Sequence, residues 1–128
     1  MYRIMIVEDD EVIARAVQQS LVSWGMDAFC VQDFSSVLAE FAVKNPQLVL
    51  MDIHLPFFNG FHWCQEIRKV SKVPVIFLSS ASDNMNIIMA VNMGGDDFIA
   101  KPFDLSVLTA KVQAMLRRTC LLYTSDAA

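Results

Sequence analysis

Four short strand-like runs in this chain each end on a polar residue. Residues 2–7 lead into Glu8 and Asp9, 48–51 into Asp52, 75–78 into Ser79, and 97–100 into Lys101 and Pro102. In a parallel sheet the carboxyl ends of the strands lie along one edge, and open α/β proteins bind ligands there. The pattern therefore predicts three carboxylates, a hydroxyl and an ammonium in one pocket. Each strand end supplies a different chemical part, which constrains the chain more than any single motif.

A further strand is expected at 27–31, and helical spacing fills the gaps. Ile13, Val17, Leu21 and Trp24 recur at helical intervals after Asp9, Asp10 and Glu11, and Gly25 can end that helix. Ser35 is the expected N-cap of a second helix that turns Leu38, Phe41 and Ala42 inward and stops before Asn45 and Pro46. A third helix starts near Gly60 and buries Trp63, Cys64 and Ile67. A fourth is expected over about 84–93, ending at Gly94 and Gly95. The last carries Leu105, Leu108, Val112, Met115 and Leu116 on one stripe and ends at Arg117 and Arg118, where the helix dipole favours cations. Alternating units with near-continuous apolar strands predict an α/β fold, a parallel sheet with helices on both faces.

The 128 residues suffice for one domain, and 55% of them are hydrophobic, enough for a full core. No apolar stretch approaches the ~18 residues of a membrane helix. The first strand leaves no room for a signal peptide, so a cytoplasmic protein without membrane partners is expected. Cys30, Cys64 and Cys120 are odd in number and lack metal-site spacing, which fits a reducing compartment. A net charge of −4 argues against a general nucleic-acid surface on this piece. The domain is expected over 1–118. Residues 119–128 continue neither stripe nor strand and read as a truncation scar or non-native tail.

Four motifs now stand in order: Val7-Glu8-Asp9-Asp10, Met51-Asp52-Ile53-His54-Leu55-Pro56 with Gly60, residues 74–81 around Ser79, Ser80 and Ala81, and residues 95–103 around Asp96, Asp97, Phe98 and Lys101. Over residues 1–118 the chain resembles the receiver domain of two-component response regulators, the CheY-like family. The resemblance implies a doubly wound five-stranded sheet of order 2-1-3-4-5. It implies transfer of a phosphoryl group from a phosphohistidine of a sensor histidine kinase to aspartate, with Mg²⁺, for which Mn²⁺ can substitute. The chain would be a phosphoacceptor that assists its own phosphorylation and dephosphorylation, rather than an enzyme acting on other molecules.

The resemblance makes Asp52 the nucleophile. Asp9, Asp52 and the backbone carbonyl of His54 would bind the metal, with Glu8 acting through water. Three clustered carboxylates repel one another, and Mg²⁺ is a hard ion that takes such oxygens. Lys101 would meet the phosphoryl oxygens as a point charge on a flexible stem. Ile53 and Ser80 are counted as cofactor-binding, Ser80 as a small residue that permits close approach of the phosphate. Ser79 and Phe98 form the switch: the hydroxyl turns inward to the phosphoryl group and the aromatic follows into the space it leaves. Phe98 stands where tyrosine is commoner. His54 and Ala81 flank the route of attacking water, and His62 is expected at the surface. The Lys101–Pro102 peptide is expected to be cis.

Each feature alone has a plainer reading. The acidic triplet is favourable charge at a helix start, Asp52 a turn former, Ser79 an N-cap, Lys101 a loop lysine. Their joint placement carries the assignment. A haloacid-dehalogenase-type aspartyl-phosphate hydrolase would use an Asp-x-Asp pair after its first strand, whereas Asp52-Ile53-His54 belongs to the third strand and lacks the second aspartate. A flavodoxin-type FMN carrier would need a Ser/Thr-rich loop where this chain puts carboxylates.

The closing segment looks most like the OmpR-type transcription regulators, whose winged-helix effector domain would lie outside this chain and supply the DNA contact. That subfamily dimerises through its fourth helix, fifth strand and fifth helix. By that resemblance Asp97 with Lys111 and Asp96 with Arg118 would retain two ion pairs, Ile87 would meet Val107, and Asn92 would face Gln113. A stand-alone receiver acting by protein–protein contact is the alternative.

Overall fold

The computed structural model describes residues 1–79, 92 and 94–127. The order is β1 (Arg3–Val7), α1 (Glu11–Ser23), β2 (Asp27–Cys30), α2 (Val37–Lys44), β3 (Leu48–Asp52), α3 (Gly60–Arg68), β4 (Val75–Ser79), β5 (Asp97–Ala100) and α4 (Leu105–Ala127). The helix expected over 84–93, with Ile87, lies outside the described residues apart from Asn92, as do Ser80 and Ala81. The five strands are parallel and ordered β2-β1-β3-β4-β5, as expected.

Alternation along each strand sorts the core into two halves. Ile4, Ile6, Leu48, Leu50, Ile76 and Leu78 face α1 and α4, meeting Val17, Leu21, Leu108 and Val112. Met5, Val7, Val49, Met51, Val75 and Phe77 face α2 and α3, meeting Phe41, Trp63, Cys64 and Ile67. Both faces of the three central strands are covered, which is why their sequences read as unbroken apolar runs. Each such side chain is worth about 1.5–3 kcal/mol of burial.

Several local expectations are corrected. Trp24 does not extend the α1 stripe; α1 stops at Ser23, and Trp24 is its cap, 61% exposed. Gly25 then takes φ 86, and Met26 N donates to Leu21 O at 3.2 Å. Ile13 is half-buried rather than fully inward. The N-cap of α2 is Ser36, because Ser35 N and Oγ are bound to Asp33 Oδ1 at 3.0 and 2.6 Å. Those bonds hold the exposed Asp33 carboxyl below its usual range. Val37 and Phe41, four apart, form the buried stripe of α2, which leaves Leu38 half-buried and Ala42 exposed. His62 is half-buried, stacked on Phe58 at 4.4 Å. The last helix passes Arg117 and Arg118 and runs to Ala127. It contains no glycine or proline, and Thr119 Oγ1 bonds back to Met115 O at 3.0 Å. Among the described residues no helix is long and apolar enough to cross a membrane.

Candidate functional site

Strand register builds the site. Val7 lies beside Met51, Asp52 beside Leu78, and Ser79 beside Ala100. One step beyond Val7 and Ala100 come Glu8 and Lys101, so all the expected groups reach one sheet edge. Lys101 N donates to Ser79 O at 2.6 Å, carrying the β4–β5 ladder past the strand ends. The Lys101–Pro102 peptide is cis.

The acidic triplet divides its work. Asp10 caps α1, accepting from Val12 N at 3.0 Å and Ile13 N at 3.3 Å. Glu8 and Asp9 instead join Asp52, and ligand oxygens of the three lie within 4.8 Å of one another. Glu8 and Asp52 are each 4% exposed, whereas Asp9 is open to solvent. The Lys101 ammonium touches Glu8 Oε1 and lies 3.3 Å from Asp52 Oδ2. Glu8 Oε2 accepts from Asp10 N at 3.2 Å.

Burial pushes the Glu8 carboxyl above the ordinary carboxylate range; the bond from Lys101 opposes the rise, and Asp52 adds to it. Burial alone would lower Lys101, but its bond to Glu8 and the field of Asp52 reverse this and hold the ammonium above its ordinary value. One cation thus serves two buried carboxylates with a third beside them. The surplus negative charge and the hard oxygen donors fit a small divalent cation such as Mg²⁺.

The turn after β3 holds Asp52 in place. Ile53 N donates to Leu78 O at 3.1 Å, and Ile53 O accepts from Gly60 N at 2.9 Å. Ile53 was expected among the cofactor-binding residues. Its side chain is buried in the core, and its two backbone bonds close the loop after β3. Asn59 caps α3 by accepting from His62 N at 2.9 Å. Gly60 presses on the Asp52 carbonyl so closely that a Cβ there would collide with Asp52 O and lie 3.0 Å from Asp52 C and Met51 Cγ. Phe57 takes φ 69 and projects into solvent. The His54 side chain is exposed. Ser79 is fully buried, and Phe98 is half-buried against the α2–α3 half of the core.

Away from this edge, three of the charged residues expected at a dimer face, Asp96, Asp97 and Lys111, have partners within the chain. Lys111 Nζ is 3.6 Å from Asp97 Oδ1 and 3.4 Å from Phe98 O. Asp96 is bound by Arg68 at 2.8 Å within the chain. Arg68 was not singled out in the sequence, because two of its partners, Gly94 and Asp96, are 26 and 28 positions away and no local pattern announces them.

The model of the response regulator receiver domain matches residues 4–113. The chain belongs to that family. This receiver domain is 48% identical over 118 residues to the sensory transduction protein BceR of Bacillus subtilis (strain 168), covering 92% of the chain and 51% of that protein. It is 40% identical over 116 residues to the response regulator protein GraR of Staphylococcus aureus (strain Newman), covering 91% and 52%. The receiver therefore spans about half the length of the curated relatives it matches. Among solved structures, the N-terminal domain of the nisin resistance regulator NsrR superposes with a TM-score of 0.83 at 48% identity, covering 91% of this chain and 98% of that one. A two-component response regulator from Clostridium difficile gives 0.88 at 27% identity, covering 93% and 98%.

Proposed function

We propose that Asp52 accepts a phosphoryl group from the phosphohistidine of a sensor histidine kinase and that this switches the α4–β5 face of the domain. The observation that carries the reading is the Lys101 ammonium set between Glu8 and Asp52, at the mouth of a three-carboxylate cluster. An Asp52 carboxylate oxygen attacks phosphorus, the bond from phosphorus to the donor nitrogen breaks, and that electron pair leaves with the imidazole. Such a transfer needs mainly positioning and charge stabilisation. Lys101 meets the negative charge of the transferred oxygens, and the turn closed by Ile53 and Gly60 holds the nucleophile. Asp9, Asp52 and the His54 carbonyl, with Glu8 through water, would hold Mg²⁺ or Mn²⁺, which supplies the further positive charge.

Ser79 and Phe98 are the proposed readout, a local charge event biasing a bistable element. Ser79 shares a backbone bond with Lys101, and Phe98 is one strand over, beside Phe77. The output is proposed to be transcriptional. A relative of which this chain covers 50% is described as an uncharacterized transcriptional regulatory protein, and DNA contact would come from a further domain. A cytoplasmic setting follows from this reading.

Metal dependence tests the centre. Acetyl phosphate with Mg²⁺ is expected to add one phosphoryl group, read as intact mass, and chelation to prevent it. Asp9→Asn should weaken Mg²⁺ or Mn²⁺ binding by on the order of tenfold or more in a calorimetric titration. Equal affinity in that variant, or an adduct indifferent to chelation, would sink the metal assignment.

The phosphorylated domain is expected to form a two-fold dimer through β5, α4 and the segment containing Ile87. Val107, on α4, is a large apolar side chain left 50% exposed. Val107→Glu should weaken the dimer by about 1–3 kcal/mol by placing an unpaired charge in the contact, measured by sedimentation equilibrium. An unchanged dimer constant would place the interface elsewhere.

A further inference from the structure

Asp96 and Asp97 stand at the start of β5, and each carboxylate already has a cation inside the chain. The two arrangements differ in stiffness. Lys111 reaches Asp97 at 3.6 Å by a flexible stem. Arg68 is pinned: Nη1 donates to Val73 O at 2.6 Å, and Nε and Nη2 donate to Gly94 O at 3.1 and 2.7 Å. The same Nη2 lies 2.8 Å from Asp96 Oδ2, which also accepts from Val75 N at 2.8 Å. Three bonds to backbone carbonyls stop the guanidinium from swinging away. By contrast, Arg117 and Arg118 are exposed and form no ion pair among the described residues.

We propose that Arg68 is a built-in brake on dimerisation: by holding Asp96 it lowers what that carboxylate can offer to Arg118 of a second copy. This rests on the dimer reading above and adds its regulation. A bare carboxylate would attract an incoming guanidinium with its full charge. Asp96 presents a carboxylate balanced by a fixed cation, and repulsion between the two guanidinium groups offsets much of the attraction. The inter-copy contact therefore adds a second cation to a carboxylate that already has one. The brake is modest, because the Arg68 and Asp96 side chains are 25% and 40% exposed and solvent screens them.

Arg68→Gln removes the charge while leaving an amide able to donate to the carbonyls of Val73 or Gly94. Sedimentation equilibrium of the whole chain, activated with beryllium fluoride and Mg²⁺, is expected to show the dimer Kd of this variant falling about threefold to fivefold. In an Arg118→Gln background the same change is expected to have no effect. A native chain that dimerises equally well with or without the Arg68 charge overturns the brake and leaves the dimer standing. A native chain that stays monomeric overturns the dimer reading itself. Should Arg68→Gln fail to fold, Asp96→Asn decides the matter. A muted carboxylate predicts less than about a twofold loss of dimer affinity, and a loss beyond about fivefold shows Asp96 acting at full strength despite Arg68.

Discussion

Replacing Asp52 with asparagine is expected to abolish the phosphoryl adduct left by acetyl phosphate and Mg²⁺. The amide keeps the size and shape of the side chain but lacks the anionic oxygen that attacks phosphorus. The rate of labelling should fall by at least about a thousandfold, equivalent to about 4 kcal/mol of barrier. The fold is expected to survive, because the change removes one of three crowded negative charges and leaves Lys101 paired with Glu8. A thermal midpoint equal to or above the native one, together with a missing adduct, is the predicted pair of results. An adduct of undiminished size in the folded variant would put the acceptor on another residue.

The second large effect is expected from a single methyl group. Gly60→Ala puts a Cβ into the Asp52 carbonyl, and the neighbouring atoms, Asp52 C and Met51 Cγ, are each only 3.0 Å away. The obstruction is largely backbone, so it cannot rotate aside as a flexible side chain would. Either α3 backs away from β3, losing the Gly60 N to Ile53 O bond, or the end of β3 shifts and takes the nucleophile with it. Both routes cost stability, about 3 kcal/mol, at the upper end of the usual cost of overpacking. Urea unfolding measures this, and labelling by acetyl phosphate should slow in whatever fraction stays folded. A loss below about 1 kcal/mol would mean that the approach of α3 to Asp52 is looser than the geometry states.

Features that depend on neighbours in sequence are legible in the sequence itself. The strands declared themselves because both faces of β1, β3 and β4 are covered, so their residues are apolar without interruption. Their polar end residues then had to share an edge, which placed Glu8, Asp9, Asp52, Ser79 and Lys101 together. Features that depend on distant partners were not legible. Nothing in the sequence pairs Lys101 with Glu8 rather than Asp52 alone, and nothing links Arg68 to Gly94 and Asp96. Trp24 and Ala42 match the helical period, yet the helix ends before the first, and Val37 and Phe41 take the buried stripe from the second. Ser35 and Ser36 are equal candidates for a cap until Asp33 claims Ser35. The residue-type signal of Gly60 was visible, but its collision partner was not, because the approach of α3 to β3 is a tertiary fact.

The strand β5 lies at the border of the sheet, and a border strand is a template on which foreign chains can crystallise into fibrils. This border is poorly suited to that. It is four residues long, it begins at a charged residue, Lys111 sits on the carbonyl of Phe98, and Pro102 soon follows with no N–H to offer. Whatever meets this side of the molecule must therefore do so through side chains rather than by extending the ladder. Contacts of that kind come apart again, so the same border that invites company also keeps it from becoming permanent.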